Sequence, residues 1–283
     1  MKIYISTGGY KNKNMNSILS KMEKNNILDL ELSGGIYNKN IYEILKKKKK
    51  KFNFQIHNYF PVPKKAFVLN LASSDKNISR LSIKHVKSSI RFAKKIGSKY
   101  YSFHAGFLCD LLPSELGKGV KKKKLNSRKK SISIFLKNLK LISKYAKKYK
   151  INVMVENNVI TRTNLNEFGT NPLLMCDPVE CLSLLKKFPK NIKMLLDVGH
   201  LNVSAKTLAF KKKDMFNKCE KFIKGYHLSD NDGLRDTNQK FNNKSWFIKL
   251  LNKNVEYVSI EVYGEAEQKL IKLKKILSNK VYV

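Results

Sequence analysis

Hydrophobic residues along this chain gather in short runs separated by longer segments of helical period. Six runs close on an acid or a histidine: Phe52–His57 (FNFQIH), Lys99–His104 (KYYSFH), Ile151–Glu156 (INVMVE), Ile192–Asp197 (IKMLLD), Phe222–His227 (FIKGYH) and Tyr257–Glu261 (YVSIE). Lys2–Ser6 and Leu28–Leu32 bring the number of runs to eight. Short, mostly apolar runs fit strands buried on both faces, and a polar final residue then lies where the strand leaves the core. Between the runs the spacing predicts helices over about 14–24, 41–49, 78–96, 127–148, 178–187, 214–221, 246–251 and 265–277. The inner faces are plain in three of them: Met15, Ile18, Leu19 and Met22 in the first; Val86, Ile90, Ala93 and Ile96 in the third; Ile132, Phe135, Leu139, Ile142 and Ala146 in the fourth.

Eight strand–helix alternations predict a parallel α/β sheet, and eight units predict its closure into a single (β/α)8 TIM barrel over residues 1–283. No Pro/Gly/Ser-rich linker or shift of composition divides the chain. Helix-to-strand connections such as Gly97-Ser98 and Phe188–Asn191 are short, whereas several strand-to-helix connections are long. In such a barrel the long connections share the C-terminal face, where active sites sit, and the terminal acids and histidines arrive at that face. Thr7-Gly8-Gly9, after the first strand, is expected to let backbone approach a ligand.

Composition changes this picture little. The net charge is +37, but only five of 58 basic residues are arginine, and lysine is spread through helices, turns and tail. A phosphate-binding surface concentrates its charge and uses arginine's planar fork, so most of the lysine reads as solvated surface. The N-terminus enters a strand with no basic-then-apolar leader, and no apolar run reaches the about 20 residues of a membrane span. Four cysteines form no CxxC pair. A reduced, cytoplasmic protein without membrane contact is expected.

The strand ends carry the chemistry. Glu156, Asp197, His227 and Glu261 offer a carboxylate–imidazole set suited to Mn, Co, Mg or Zn, with Glu156 and Glu261 as catalytic carboxylates. His57 and His104 could build a second metal site by sharing Glu156, while His200, three residues after Asp197, could turn into the same cavity. Glu31 and Asp236 are expected, with His200, to bind substrate. A histidine at a strand end is ordinarily a satisfied structural residue. Here four of five histidines fall at or just after strand ends, and only His85 sits on a helix as an ordinary packing or surface residue.

The stretches QIHNYF, NLASSD, SFHAGF, VMVENN, MLLDVGHLNVSA, HLSDNDG and SIEVYGE resemble the xylose-isomerase-like barrels, which include sugar phosphate isomerases/epimerases and endonuclease IV. The resemblance covers nearly the whole chain. It implies the metal set Glu156, Asp197, His227 and Glu261, a second metal at His57 and His104 in the nuclease branch, and a substrate or third-metal role for His200. The nuclease branch completes a third zinc with Asp-x-His, where this chain has Asp236-Thr237-Asn238. Neutral asparagine is a poor zinc ligand. The expected function is therefore a metal-dependent sugar or sugar-phosphate isomerase/epimerase working through an enediolate. Zinc-dependent hydrolysis at abasic DNA is the alternative, and a non-catalytic binding barrel the third. The expected partner is a small-molecule sugar, with nucleic acid only under the alternative and homo-oligomerisation left open.

Overall fold

A computed structural model describes residues 2–10, 13–116 and 118–281. Strands β1 (Lys2–Ser6), β2 (Asp29–Leu32), β3 (Asn53–His57), β4 (Tyr100–His104), β5 (Asn152–Glu156), β6 (Ile192–Asp197), β7 (Ile223–Leu228) and β8 (Tyr257–Ile260) run parallel and close in chain order, with β1 pairing β8. Helices α1 (Met15–Lys24), α2 (Ile41–Lys48), α3 (Lys76–Ile96), α4 (Arg128–Tyr149), α5 (Arg162–Phe168), α6 (Pro178–Leu185), α7 (Val198–Leu208), α8 (Lys212–Cys219) and α9 (Glu267–Val281) alternate with them. The predicted inner faces are the buried ones: Met15, Ile18, Leu19 and Met22 on α1, and Val86, Ile90, Ala93 and Ile96 on α3. Each large aliphatic side chain buried this way stabilises by about 1.5–3 kcal/mol.

Local chemistry sets the helix ends. Asp75 caps α3 by accepting from the backbone of Asn77 and Ile78, and Gly97 closes it in the left-handed region at φ 81°. Ser127 caps α4 through the backbone of Lys130. Three expectations fail. Residues 246–251 hold only a single 3-10 turn, Ile248–Leu250. α5 lies inside the long connection after β5, and α7 begins immediately after β6, two helices that the spacing does not predict. α7 escapes detection because eight of its eleven residues are buried, including Val198, Gly199, His200 and Leu201. A helix enclosed on nearly all sides has no polar stripe and so no 3.6-residue signature.

The barrel interior changes character along its axis. Tyr4, Met154, Leu195 and Tyr257 form a separate apolar cluster with Tyr100 against it. Further towards the C-terminal ends of the strands come Gln55, Ser102, Glu31 and Ser259, all buried, and then the histidines and carboxylates. Strand pairing sets His104 opposite Glu156 and Asp197 opposite His227.

Candidate metal and active site

Two groups of ligand-bearing side chains meet at the C-terminal mouth, with the donor atoms of each group within 4.8 Å of one another. One consists of Glu156, Asp197, His227 and Glu261, the other of His57, His104 and Glu156. Every member is buried except His104, whose side chain is 28% exposed. The rings of His57 and His227 lie 4.8 Å apart, and those of His104 and His57 5.4 Å apart. All residues singled out as metal ligands from the strand ends thus converge. Among the described residues no third group of three or more such ligands forms.

His227 shows how the site is held. Its Nε2 lies 3.0 Å from Glu31, which also accepts from Ser259 Oγ at 2.9 Å. With Nε2–H directed at Glu31, the Nδ1 lone pair faces Glu261 Oε2 at 3.0 Å, Glu156 Oε1 at 3.2 Å and Asp197 Oδ2 at 3.8 Å. A carboxylate behind a ligating imidazole fixes its tautomer and raises its basicity. Glu31, expected at the substrate, therefore lies fully buried behind His227 instead. His57 is held in the same manner: Nδ1 is 3.0 Å from Ser102 Oγ, and Nε2 faces Glu156 Oε2 at 3.4 Å.

Glu261 lies just past the end of β8, and its Oε1 accepts a 2.6 Å hydrogen bond from Tyr263. Tyr263 was not anticipated, although it stands two residues beyond Glu261 in the IEVYGE stretch. The Thr7-Gly8-Gly9 expectation is corrected here. A Cβ on Gly8 would lie 2.2 Å from the Tyr263 hydroxyl, and one on Gly9 2.9 Å from its ring. These glycines make room for a tyrosine. His200 directs Nδ1 at the Asn157 carbonyl, 2.8 Å away, and Nε2 at Asp236 Oδ2, 3.2 Å away. His200 and Asp236 therefore meet, as expected of a pair, at the edge of the first group.

Charge and burial compete strongly here. Burial pushes Glu156 up, but His104, His227 and His57 together hold it well below the usual carboxylate range. Glu261, likewise penalised by burial, is lowered to about 2, chiefly by His227. Burial wins at Asp197, which is raised well above its ordinary value despite His200. It also wins at His104, lowered to about 4. His227 and His200 go the other way: burial opposes their charge, but the carboxylates around them raise both well above a free imidazole.

Both Glu156 oxygens, Asp197 Oδ2 and His227 Nδ1 are buried without a hydrogen-bond partner. Orphaned groups of this kind cost several kcal/mol each unless a counter-charge meets them. All four atoms belong to the first ligand group, and three carboxylates with one imidazole suit a divalent ion. The residues fit a metal.

A family model described as xylose isomerase-like TIM barrel matches residues 29–276. Among solved structures, a D-tagatose 3-epimerase-like protein has a TM-score of 0.73 at 20% identity, over 100% of this chain and 97% of its own. The 3-keto-D-glucoside 4-epimerase of E. coli has a TM-score of 0.67 at 13% identity, over 100% of both chains. The IOLI protein with a bound zinc atom has a TM-score of 0.67 at 14% identity, over 99% of this chain and 98% of its own. At such identities the likeness is one of fold. No curated protein matches the chain in sequence. The family model spans most of the chain and the closed eight-stranded barrel agrees with it: the chain belongs to the xylose isomerase-like TIM barrel family.

Proposed function

We propose that this protein is a divalent-metal-dependent isomerase or epimerase of sugars or sugar phosphates, with the ion held by Glu156, Asp197, His227 and Glu261. The observation that carries this is the convergence of four buried ligands at the mouth of a barrel, three of which present donor atoms without partners. Solved proteins of the same fold include sugar 3- and 4-epimerases. A bound divalent ion supplies Lewis acidity towards a carbonyl and an adjacent hydroxyl.

The chain's own residues move the proton. Glu156 and Glu261 are the two carboxylates available for proton transfer, and the histidines around them draw both below the usual carboxylate range. One takes the proton from the carbon alpha to the carbonyl, and the C–H electron pair becomes the double bond of an enediolate. The other, carrying a proton taken up from solvent, returns it to the opposite face of that carbon, giving the epimer; delivery to the neighbouring carbon gives the isomer. Tyr263 keeps Glu261 Oε1 occupied, so that Oε2 is the oxygen turned towards His227. His200, committed through Nδ1 to backbone, orients a substrate hydroxyl together with Asp236. Glu31 acts on His227 and not on substrate.

The test is proton exchange. Manganese-supplied protein in D2O should place deuterium at the carbon alpha to the carbonyl of a ketose, keto-sugar or inositol-derived ketone. Glu156→Gln and Glu261→Gln should abolish it. Absence of exchange over a broad panel, phosphorylated sugars included, by protein with bound metal would defeat the proposal.

One observation favours a second reading, hydrolysis of the phosphodiester at abasic DNA: the His57–His104–Glu156 group beside the first. Two ions sharing a carboxylate can activate water and neutralise a leaving phosphate. Against it stands Asn238, which leaves His200 and Asp236 without a second imidazole. Chelator-sensitive cleavage of an abasic duplex, lost in Glu156→Gln, would reverse the order of the two.

A further inference from the structure

The pairing of β5 with its neighbours ends at His104 on one side and before Asp197 on the other. The β5–β6 ladder ends with Glu156 opposite Leu195, two residues before Asp197. The β4–β5 ladder ends with His104 opposite Glu156, followed by one further bond from Ala105 N–H to Glu156 O at 3.0 Å. Beyond those points no ladder bond joins β5 to its neighbours, although Asp197 remains paired with His227 on its other side. The two residues after Glu156 are asparagines, both buried.

We infer that Asn157 and Asn158 are positioning residues that set the two ligand groups separately, Asn157 on the β6 side and Asn158 on the β4 side. The Asn157 side chain grips both peptide groups of Asp197: Oδ1 accepts from Asp197 N–H at 2.8 Å, and Nδ2 donates to Asp197 O at 3.1 Å. Its backbone carbonyl faces His200 Nδ1 at 2.8 Å, so one residue fixes Asp197 and the ring of His200 together. Asn158 turns the other way. Its Nδ2 lies 3.0 Å from Ala105 O and 3.2 Å from Gly106 O, directly after His104, and 2.9 Å from Leu174 O in the connection after β5. Asn70 holds the same segment from the β3 side by accepting from Phe107 N–H at 3.0 Å.

At position 157 the chemistry requires this residue type. Only a primary amide places a donor and an acceptor side by side on so short a stem, and it thereby extends a parallel ladder beyond the strand's own end. Glutamine is one methylene too long. Aspartate lacks the donor and would set a negative charge against the Asp197 carbonyl.

The inference rests on the proposed ligand groups, and zinc binding tests the two separately. Metal-stripped wild type, Asn157→Ala and Asn158→Ala are titrated with zinc calorimetrically, their ion positions are located by anomalous diffraction, and the thermal midpoint of each stripped protein is recorded. Asn157→Ala should weaken the ion at Glu156–Asp197–His227–Glu261 by about 10–100-fold, as loss of an outer partner typically does, and leave the His57–His104–Glu156 ion near wild type. Asn158→Ala should do the reverse. If wild type takes only the first ion, Asn157→Ala alone should weaken it. Asn→Ser replacements, too short to span both partners, repeat the comparison where an alanine variant fails to fold. Equal losses in both variants, following the midpoints, would mean that the asparagines merely stabilise the fold, and the inference falls while the ligand groups stand. A wild type that takes up no zinc overturns the ligand groups and the inference with them.

Discussion

Glu31 acts at one remove from the chemistry. It is fully buried and bonded to His227 and Ser259, so its charge acts through the imidazole. Glu31→Gln keeps an oxygen for His227 Nε2–H but loses the charge that raises ligand basicity. It should weaken zinc binding at the first ligand group by about 10-fold or more; unchanged affinity in the titration would show that His227 needs no carboxylate behind it. His85 gives a residue-scale prediction away from the site. It is buried against Phe67 and Tyr59, with Nε2 3.2 Å from Asn58 O, and burial lowers its pKa against the opposing pull of that carbonyl. The unfolded chain takes up a proton near the ordinary histidine value, about 6.5, while the folded chain resists it until lower pH. Its contribution to stability is therefore complete above that value and lost as pH falls through the folded pKa. Thermal midpoints from pH 7.5 to 5.5 should fall less in His85→Gln than in wild type; parallel curves would contradict this. At this scale the sequence was legible where a strand's last residue is polar. It did not tell depth along the barrel axis, which is why Glu31 was taken for a substrate contact.

The elements show which motifs carry chemistry and which carry architecture. In NLASSD, Asn70 ties the connection after β3 to the one after β4, and Asp75 caps α3. That stretch holds helices and loops in place under either enzymatic reading, so it does not discriminate between them. The first connection behaves similarly, since Gly8 yields space to the tyrosine that holds Glu261. Coupling between the two should be measurable: Gly8→Ala should destabilise wild type more than it destabilises Tyr263→Phe, where the hydroxyl 2.2 Å from the added carbon is gone. Equal costs in denaturant titrations would contradict the packing described. Amphipathic helices such as α3 and α4 were readable from their period. α7 was not, because its residues are enclosed on nearly every side. The partners Ser102 and Ser259 were overlooked although each stands two residues before a ligand, the spacing that keeps both on the inner face of the strand.

Over the whole molecule, the charge and the site separate. Lysines occupy the last turns of α1, α2, α3 and α4, where a cation complements the negative end of the helix dipole. A cavity of about 410 Å³ lined by Lys2, Lys49, Lys50 and Lys99 lies among the strand starts and the ends of α2 and α3, away from the ligand groups. The last-turn lysines of these four helices thus have an architectural account. No helix among the described residues is long and apolar enough to cross a membrane. Closure into a barrel was legible because eight runs alternate with helices and the long connections fall after strands; the convergence of ligands from β3 to β8 then follows from closure itself. The most direct measurement is anomalous diffraction from crystals grown with excess zinc. A strong peak should lie among Glu156, Asp197, His227 and Glu261, with at most one more beside His57 and His104, and the first should vanish in His227→Ala. A fully folded wild type with no peak at the first group, or with three peaks including one held by His200 and Asp236, would contradict the account.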